Sequence, residues 1–198
     1  MDISTRSQIL PTIARISPAV IIIITIIYTI LARTYYSLYL LICILVISIS
    51  NGVFKNLIFN PLYNISHKKE LPILGIGKRP PNANSCGILL DGKIATSYGM
   101  PSGHSQIAWS VATYLLLKLF LYKYKIRSVN LDSNSIVKLC LLSVCIISIA
   151  VYISYSRLYI EGCHTKQQVI LGGLLGVVCG GIVYFIEHNV ISNFLHGN

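Results

Sequence analysis

Five long stretches of this sequence contain no Lys, Arg, Asp or Glu, and they constrain the fold more than any other feature. They cover residues 16–32, 34–54, 94–117, 139–156 and 167–186. The first, second, fourth and fifth are essentially apolar and 17, 21, 18 and 20 residues long, near the roughly 20 residues that a helix needs to cross a bilayer. The run 94–117 begins with a polar loop, so we expect its helix over about 104–122.

These stretches predict an all-α integral membrane bundle with about five transmembrane helices in a single domain, 1–198. The expected helices cover about 16–33, 35–55, 104–122, 137–156 and 167–187. Residues 61–103 are rich in Gly, Pro, Asn and Lys, which predicts a large extramembrane loop. Glycines at small-residue spacing in the last helix predict close packing within the protein rather than between copies.

The composition supports the same fold class. Charged residues make up 11% of the chain and hydrophobic residues 54%, whereas globular proteins average about 25% charged residues. A soluble domain, a disordered chain and a coiled coil are therefore excluded. The formal net charge of +10 favours anionic head groups or phosphate as partners. Nucleic acid is not expected, because the basic residues lie at the ends of apolar runs rather than on one soluble face.

Alternation of five helices places several polar residues on one membrane face, the face of the N-terminus. They come from separated parts of the chain: Lys55, Arg79, Ser102, Gly103, His104, Arg157 and His164. Their types suit nucleophilic phosphoryl transfer. Cations hold phosphoryl oxygens and stabilise transition-state charge, and two histidines can divide the roles of nucleophile and general acid.

The local patterns fit this chemistry. Pro101 to His104 enters a helix, where free N–H groups favour an anion and Ser102 can cap the helix. His164 and Gln168 are four apart, so they share a helix face, and the Gln168 carbonyl can accept the Nδ1–H of His164. No carboxylate cluster and no CxxC pair occur, so we expect neither metal nor cofactor.

The sequence Pro101-Ser102-Gly103-His104, followed by Ser156-Arg157 and His164, resembles the type 2 phosphatidic acid phosphatase superfamily. That superfamily also includes bacterial acid phosphatases and vanadium haloperoxidases. The sequence from Tyr98 to Gln106, together with Cys163-His164-Thr165, looks most like the dolichyldiphosphatase branch of this superfamily. The resemblance covers about residues 51–185.

This sequence departs from the family pattern at three places. Lys55 resembles the family lysine, but Leu62 stands where the family has Arg, and the only Arg-Pro is Arg79-Pro80. We interpret residues 62–78 as an insertion; Lys68, Lys69 and Lys78 lack the family spacing to Arg79. One extra residue separates Arg157 from His164, and a small bulge can absorb it. Gln168 replaces the family Asp, as the dolichyldiphosphatase branch tends to do.

The resemblance implies a metal-independent membrane phosphatase with a haloperoxidase-like helical core, acting on a polyprenyl diphosphate or a phosphatidate-like lipid. His164 would form a phosphohistidine, and His104 would protonate the leaving oxygen and then activate water. Lys55, Arg79, Ser102, Gly103 and Arg157 would bind phosphate, with Gln168 orienting His164. A head-group or phosphoryl transferase and a silent lipid-phosphate-binding protein remain open. A channel is less favoured, because the helices lack mid-span charges.

Cys86 and Cys163 fall on the N-terminal face, where a disulfide between them is an open alternative to two reduced thiols if that face is lumenal. Once the three cations assigned to phosphate are set aside, seven Lys and Arg on the N-terminal face stand against six on the other, so the positive-inside rule sets no orientation. The resemblance suggests a lumenal or outward-facing site.

Overall fold

The computed structural model describes residues 3–65, 71, 74–75, 77–81, 83, 95, 98–125 and 133–191. Over these residues the chain is a bundle of long helices. Between the helices it forms two isolated β-bridges, Leu71 with Gly75 and Lys78 with Tyr98. The all-α fold expected from the apolar runs is confirmed.

The helices follow one another with short connections, except between the third and the fourth. They are α1 (Ile3–Ala32), α2 (Tyr35–Val53), α3 (Asn60–Ile65), α4 (Gly103–Lys125), α5 (Ser133–Tyr155) and α6 (Lys166–Ile186). π-Helical segments join α2 to α3 over Phe54–Phe59 and extend α5 over Ser156–Ile160 and α6 over Glu187–Ile191.

Two helices begin at a capping box. Thr34 starts α2 by accepting a hydrogen bond from the Ser37 N–H, and Thr165 starts α6 by accepting one from the Gln168 N–H. In each box the side chain of the third helical residue also accepts a hydrogen bond from the backbone N–H of the capping residue. Two N–H groups that would otherwise be unpaired are thus satisfied. The α6 cap therefore fixes Gln168 through both its backbone and its side chain.

Four helical stretches are long and apolar enough to cross a membrane: Thr12–Ala32, Tyr35–Ile65, Asn134–Ile160 and Lys166–Val190. Large apolar side chains such as Leu31, Ile24 and Leu174 point outward, which suits a surface that faces lipid. The chain is an integral, multi-pass membrane protein.

α4 is the helix expected over about 104–122, yet it is not one of these four stretches. It packs against α1, α2, α5 and α6 and buries polar side chains such as Ser105, Gln106 and Ser110. Polar residues of this kind bond helices to one another inside a membrane bundle, so this central helix has less apolar surface than its neighbours.

The glycines of α6 permit its close approach to α4. A Cβ on Gly172, Gly176 or Gly180 would overlap the backbone carbonyl of Ser102, Gln106 or Ser110, in that order. Gly173 lies against the Trp109 ring, whereas Gly181 has open space beside it. The spacing thus serves packing inside the bundle.

Several helix ends lie beyond the positions expected from charge. α1 begins at Ile3 rather than near residue 16, and the second helix continues through Lys55 to Ile65, whereas the long loop was expected from residue 61. α4 reaches Lys125 and α5 begins at Ser133. A charged residue ends an apolar run but does not end a helix, because Lys and Arg are good helix formers.

Candidate active site

The entrance of α4 is a buried turn pressed against α6. Ser102 is fully buried just before the helix, its N–H donates to the Gln168 carbonyl at 3.0 Å, and its own carbonyl accepts the Gln106 N–H at 3.0 Å. Because Gly172 lets the Ser102 carbonyl come close, the start of α4 lies directly beside the start of α6.

The hydrogen bonds of Gln168 determine which nitrogen of His164 carries the proton. The Gln168 Nε2 donates to the Lys78 carbonyl at 2.7 Å and also approaches the Gly77 carbonyl. Carbonyls only accept, so the Gln168 Oε1 must be the atom that lies 3.0 Å from the His164 Nδ1. Nδ1 is then the donor, and the lone pair of His164 is on Nε2.

Gln168 also holds the segment that carries Arg79. Its bond to the Lys78 carbonyl is adjacent to Arg79, whose Nη1 donates to the Cys163 carbonyl at 3.1 Å and lies 3.5 Å from the His164 Nε2. One amide therefore positions both the imidazole and the guanidinium. An Asp at this position could do only the first, because a carboxylate has no hydrogen to donate to a carbonyl.

The extra residue between Arg157 and His164 is accommodated by the π-helical end of α5. The Glu161 N–H bonds five residues back to the Ser156 carbonyl at 2.8 Å, and the Cys163 N–H bonds to the Arg157 carbonyl at 3.2 Å. Gly162 takes a φ of +60° at the turn that follows, a conformation that glycine adopts without strain. A π-turn is a one-residue insertion into a helix, so it can return His164 to the site.

Arg157 is completely buried and is held on two sides. Its Nη1 donates to the Glu161 carboxylate at 3.0 Å, and its Nη2 donates to the Ala14 carbonyl in α1 at 2.9 Å. Because Pro18 has no N–H, the Ala14 carbonyl lacks its usual helical donor, and besides Arg157 it accepts the Ser17 hydroxyl at 2.8 Å. Arg15 joins the group through its Nε, 3.5 Å from the same carboxylate.

His104 also contacts α1. Its Nε2 lies 2.9 Å from the Arg15 carbonyl; since that oxygen can only accept, Nε2 carries a proton. Lys55 lies in the π-helical segment Phe54–Phe59, close enough to Arg79, His104 and His164 to act on them electrostatically. The residues expected to converge at the N-terminal face are thus brought together.

The electrostatic surroundings favour a neutral His164. Burial lowers the pKa of the His164 imidazole well below its ordinary value of 6.5, and the nearby Arg79 charge lowers it further. Burial also lowers the pKa of the Arg79 guanidinium, but the pKa of an arginine is so high that the side chain stays charged. A neutral imidazole beside permanent cations has the chemistry that a nucleophile needs toward a bound anion.

Sequence reasoning missed two supports of this site. One is the buried Asn51, whose Nδ2 donates to the Gln106 Oε1 at 2.7 Å and approaches the Pro101 carbonyl at 3.3 Å; a polar residue inside an apolar run was the available signal. The other is the α1 backbone at Ala14 and Arg15. Its only sign in the sequence was Pro18, which leaves a helical carbonyl without its usual donor.

Cys163 is disulfide-bonded in the structure. Cys86 lies outside the described residues, so the Cys86–Cys163 pairing stays a prediction. Among the residues that the structure describes, no three His, Cys, Asp or Glu side chains are grouped so that they could hold a metal ion.

Fold and site together define a class, namely multi-pass helical membrane proteins with a buried histidine set among cations at one membrane face. The PAP2 superfamily matches residues 36–192, and the chain belongs to this superfamily. The resemblance drawn from the motifs is thereby confirmed, and α1 lies before the matched region.

Similar curated proteins are dolichyldiphosphatases. Dolichyldiphosphatase 1 of Homo sapiens is 36% identical over 93 residues, which cover 47% of this chain and 37% of the relative. Dolichyldiphosphatase 1 of Dictyostelium discoideum is 35% identical over 101 residues, or 50% and 40% of the two chains. The Saccharomyces cerevisiae dolichyldiphosphatase is 27% identical over 114 residues, or 58% and 44%. The matches thus span less than half the length of these relatives. No solved structure gives a significant match.

Proposed function

We propose that this protein is a metal-independent phosphatase that hydrolyses a lipid phosphate or diphosphate through a phosphohistidine. The observation that carries the proposal is the lone pair on the His164 Nε2, fixed there by Gln168 and lying 3.5 Å from the Arg79 Nη1. A phosphoryl group bound by Arg79 would place its phosphorus within reach of that nitrogen.

The reaction has two steps. The His164 Nε2 attacks phosphorus and forms a P–N bond while the P–O bond to the leaving group breaks, and the leaving oxygen takes the proton from His104. Water, deprotonated by His104, then breaks the P–N bond and releases phosphate. Lys55, Arg79, Arg157 and the N–H groups of the first turn of α4, from Gly103 onward, stabilise the negative charge that the phosphoryl oxygens carry. The Ser102 N–H is not among them, because it donates to the Gln168 carbonyl.

To act as the acid, His104 must be the imidazolium, which gives up one proton and is left as the neutral imidazole that later deprotonates water. The negative charge of a bound phosphoryl group favours this cation. The Arg15 carbonyl holds the Nε2–H in the structure, and a leaving oxygen must replace that carbonyl before transfer. The exchange needs only a local displacement of α1 near Pro18, where the helix has lost a backbone hydrogen bond.

The substrate class follows from the relatives and from the membrane setting. The similar curated proteins carry the name dolichyldiphosphatase, which supports a polyprenyl diphosphate over a phosphatidate. Because the site lies at the membrane face, a phosphate head group can reach it while an apolar tail stays among the helices or in the lipid.

The engagement of Arg157 by Glu161 and Ala14 favours one second candidate, a protein that binds lipid phosphate without turnover. A transferase would share the first step and differ only in the acceptor. Hydrolysis is the primary proposal because the similar curated proteins carry the name of a phosphatase, dolichyldiphosphatase.

Phosphate release by purified protein in detergent tests the proposal. Farnesyl diphosphate and phosphatidate are offered with EDTA present, to wild type, to His164→Ala and to His188→Ala. His188 is a matched control because it stacks on Tyr184 beyond the end of α6. We expect release that survives EDTA, vanishes in His164→Ala and persists in His188→Ala.

Two outcomes contradict the proposal. Release that EDTA abolishes would require a metal. Tight binding of farnesyl diphosphate without release, in folded protein, would favour the silent binding protein.

A further inference from the structure

An apolar groove of about 580 Å³ runs between α1, α2, α4 and α5 below the site. This volume lies within the range of small-molecule pockets, about 300–1,000 Å³. The groove is lined almost entirely by apolar side chains, and none of the residues assigned to phosphate or to proton transfer belongs to its lining.

The groove wall on α4 continues the helix face that carries His104. Its lining residues there include Ala108, Val111, Ala112 and Leu115. They follow His104 at intervals of 4, 7, 8 and 11 residues, which is one face of an α-helix. The first of them is a single turn away from the imidazole.

The wall on α5 shows the same relation to Arg157. Its lining residues are Ile146, Ile149, Ala150 and Ile153. They precede Arg157 by 11, 8, 7 and 4 residues, so the helix face that ends at the guanidinium is the face that borders the groove. Two independent helices therefore lead from proposed catalytic residues into one apolar space.

Small side chains give the groove its depth. Ala108, Ala112 and Ala150 are all nearly inaccessible and pack together in one cluster. On the opposite side, α1 contributes Ile21 and Ile24, so a helix outside the matched family region supplies one wall.

The groove ends at a polar group near the other membrane face. Lys118 lines it there, ion-paired with Glu187 and with its ammonium 5.4 Å from the centre of the Tyr36 ring and 5.6 Å from that of Tyr114. His104 and Lys118 are 14 positions apart in one helix, which corresponds to about 20 Å at 1.5 Å per residue.

We propose that this groove binds the apolar tail of the lipid whose phosphate is held at His164. The inference rests on the proposed function for the head group, and the continuity of the two helix faces identifies the occupant as that substrate's own tail. A tail can follow the groove for about 20 Å. A longer tail leaves sideways into the lipid, because the lining residues Ile24 and Ile149 are 60% and 56% exposed at the open side.

Matched tryptophan substitutions test the groove. Ile149→Trp and Ile24→Trp each place a large ring in it, on opposite walls. Ile147→Trp and Ile23→Trp are the controls: they sit on the same helices at exposed positions that do not line the groove. All four proteins are compared with wild type in the same detergent, with melting temperature as the check on folding.

The first readout is the ratio of kcat/KM for farnesyl diphosphate to that for isopentenyl diphosphate, whose tail is too short to extend along the groove. We expect this ratio to fall about tenfold in each groove variant, the effect of losing about two buried CH₂ contacts, and to stay within about twofold of wild type in each control. In wild type, kcat/KM should rise from dimethylallyl through geranyl to farnesyl diphosphate.

The second readout is equilibrium binding of farnesyl diphosphate to His164→Ala protein that carries the same tryptophan substitutions. This measurement does not need turnover, so it separates the groove from the proposed function. If the groove variants of His164→Ala protein bind farnesyl diphosphate less tightly than their controls while wild type hydrolyses nothing, the hydrolase is contradicted and binding of the tail in the groove is supported. Equal ratios or equal affinities in groove and control variants would contradict the proposal that the lipid tail binds in the groove.

Discussion

Each end of the bundle contains an ion pair between helices, but the two ends differ in how far carboxylates neutralise their positive charges. At the far end, Lys118 pairs with Glu187, which also accepts the Tyr114 hydroxyl at 2.5 Å, so one cation meets one anion. At the end with the histidines, Arg15 and Arg157 share Glu161. Among the described side chains, no carboxylate pairs with Arg79 or Lys55.

This difference distinguishes a structural ion pair at the far end from the proposed phosphate-binding site at the other. The Lys118–Glu187 pair at the far end is neutral by itself and needs no further counter-ion. The other end holds more cations than its acid can neutralise, and backbone carbonyls take up some of the remaining donors. Buried cations without counter-ions are costly, so this end is stabilised when an anion binds.

The largest effect should come from removing the cation beside His164. We expect Arg79→Ala to lower kcat/KM by about a hundredfold or more, because a charged donor to the phosphoryl oxygens is lost. Lys138→Ala is the matched control, since Lys138 is exposed on α5 near the far end. Equal activity of the two variants in phosphate-release assays would show that Arg79 does not bind the phosphoryl group.

A change at Gln168 should have the next largest effect. Gln168→Glu keeps an oxygen for the His164 Nδ1 but loses the donor to the Lys78 carbonyl, so the segment carrying Arg79 should loosen. We expect kcat/KM to fall about tenfold to a hundredfold, mainly through KM. Gln167→Glu, on the exposed neighbour, is the control. A fall in kcat alone would mean that Gln168 acts only on His164.

The buried acids at the two ends offer a direct comparison. Glu161→Gln should lower kcat/KM about tenfold, because it weakens the charge-assisted bond that orients Arg157. Glu187→Gln should lower the free energy of unfolding by about 1 kcal/mol, a modest value because the Lys118 side chain is 39% exposed and water screens the pair. Its effect on kcat/KM should be smaller than that of Glu161→Gln. The reverse order, measured by kinetics and thermal unfolding, would contradict the assignment of the two ends.

The smallest expected effect is a shift in pH dependence. Because the pKa of His164 lies well below 6.5, His164 stays neutral as the pH falls through 6.5, and the acid limb of kcat/KM should lie below that pH. Arg79→Gln removes a cation that disfavours protonation, so the pKa should rise and the limb should move to higher pH. A wild-type limb at or above 6.5 would mean that burial does not hold His164 neutral.

The helices could be predicted from the sequence because crossing a bilayer requires long charge-free runs. Their ends could not, since Lys55 interrupts a run without interrupting the helix. The meeting of Ser102, Arg157 and His164 at one face followed from counting helices. The role of α1 did not: it acts through the carbonyls of Ala14 and Arg15, and every residue has a carbonyl, so side-chain patterns do not reveal it.

Chemical trapping of the intermediate tests the central claim most directly. Wild type, His164→Ala and His104→Ala are mixed with farnesyl diphosphate labelled at its terminal phosphate, quenched in alkali within milliseconds and separated from free phosphate. We expect label on the wild-type protein that survives alkali and is lost in acid, as a P–N bond is, with the label mapped to His164 and absent from His164→Ala. Phosphate release at the wild-type rate with no label on the protein, or label on another residue, would contradict it.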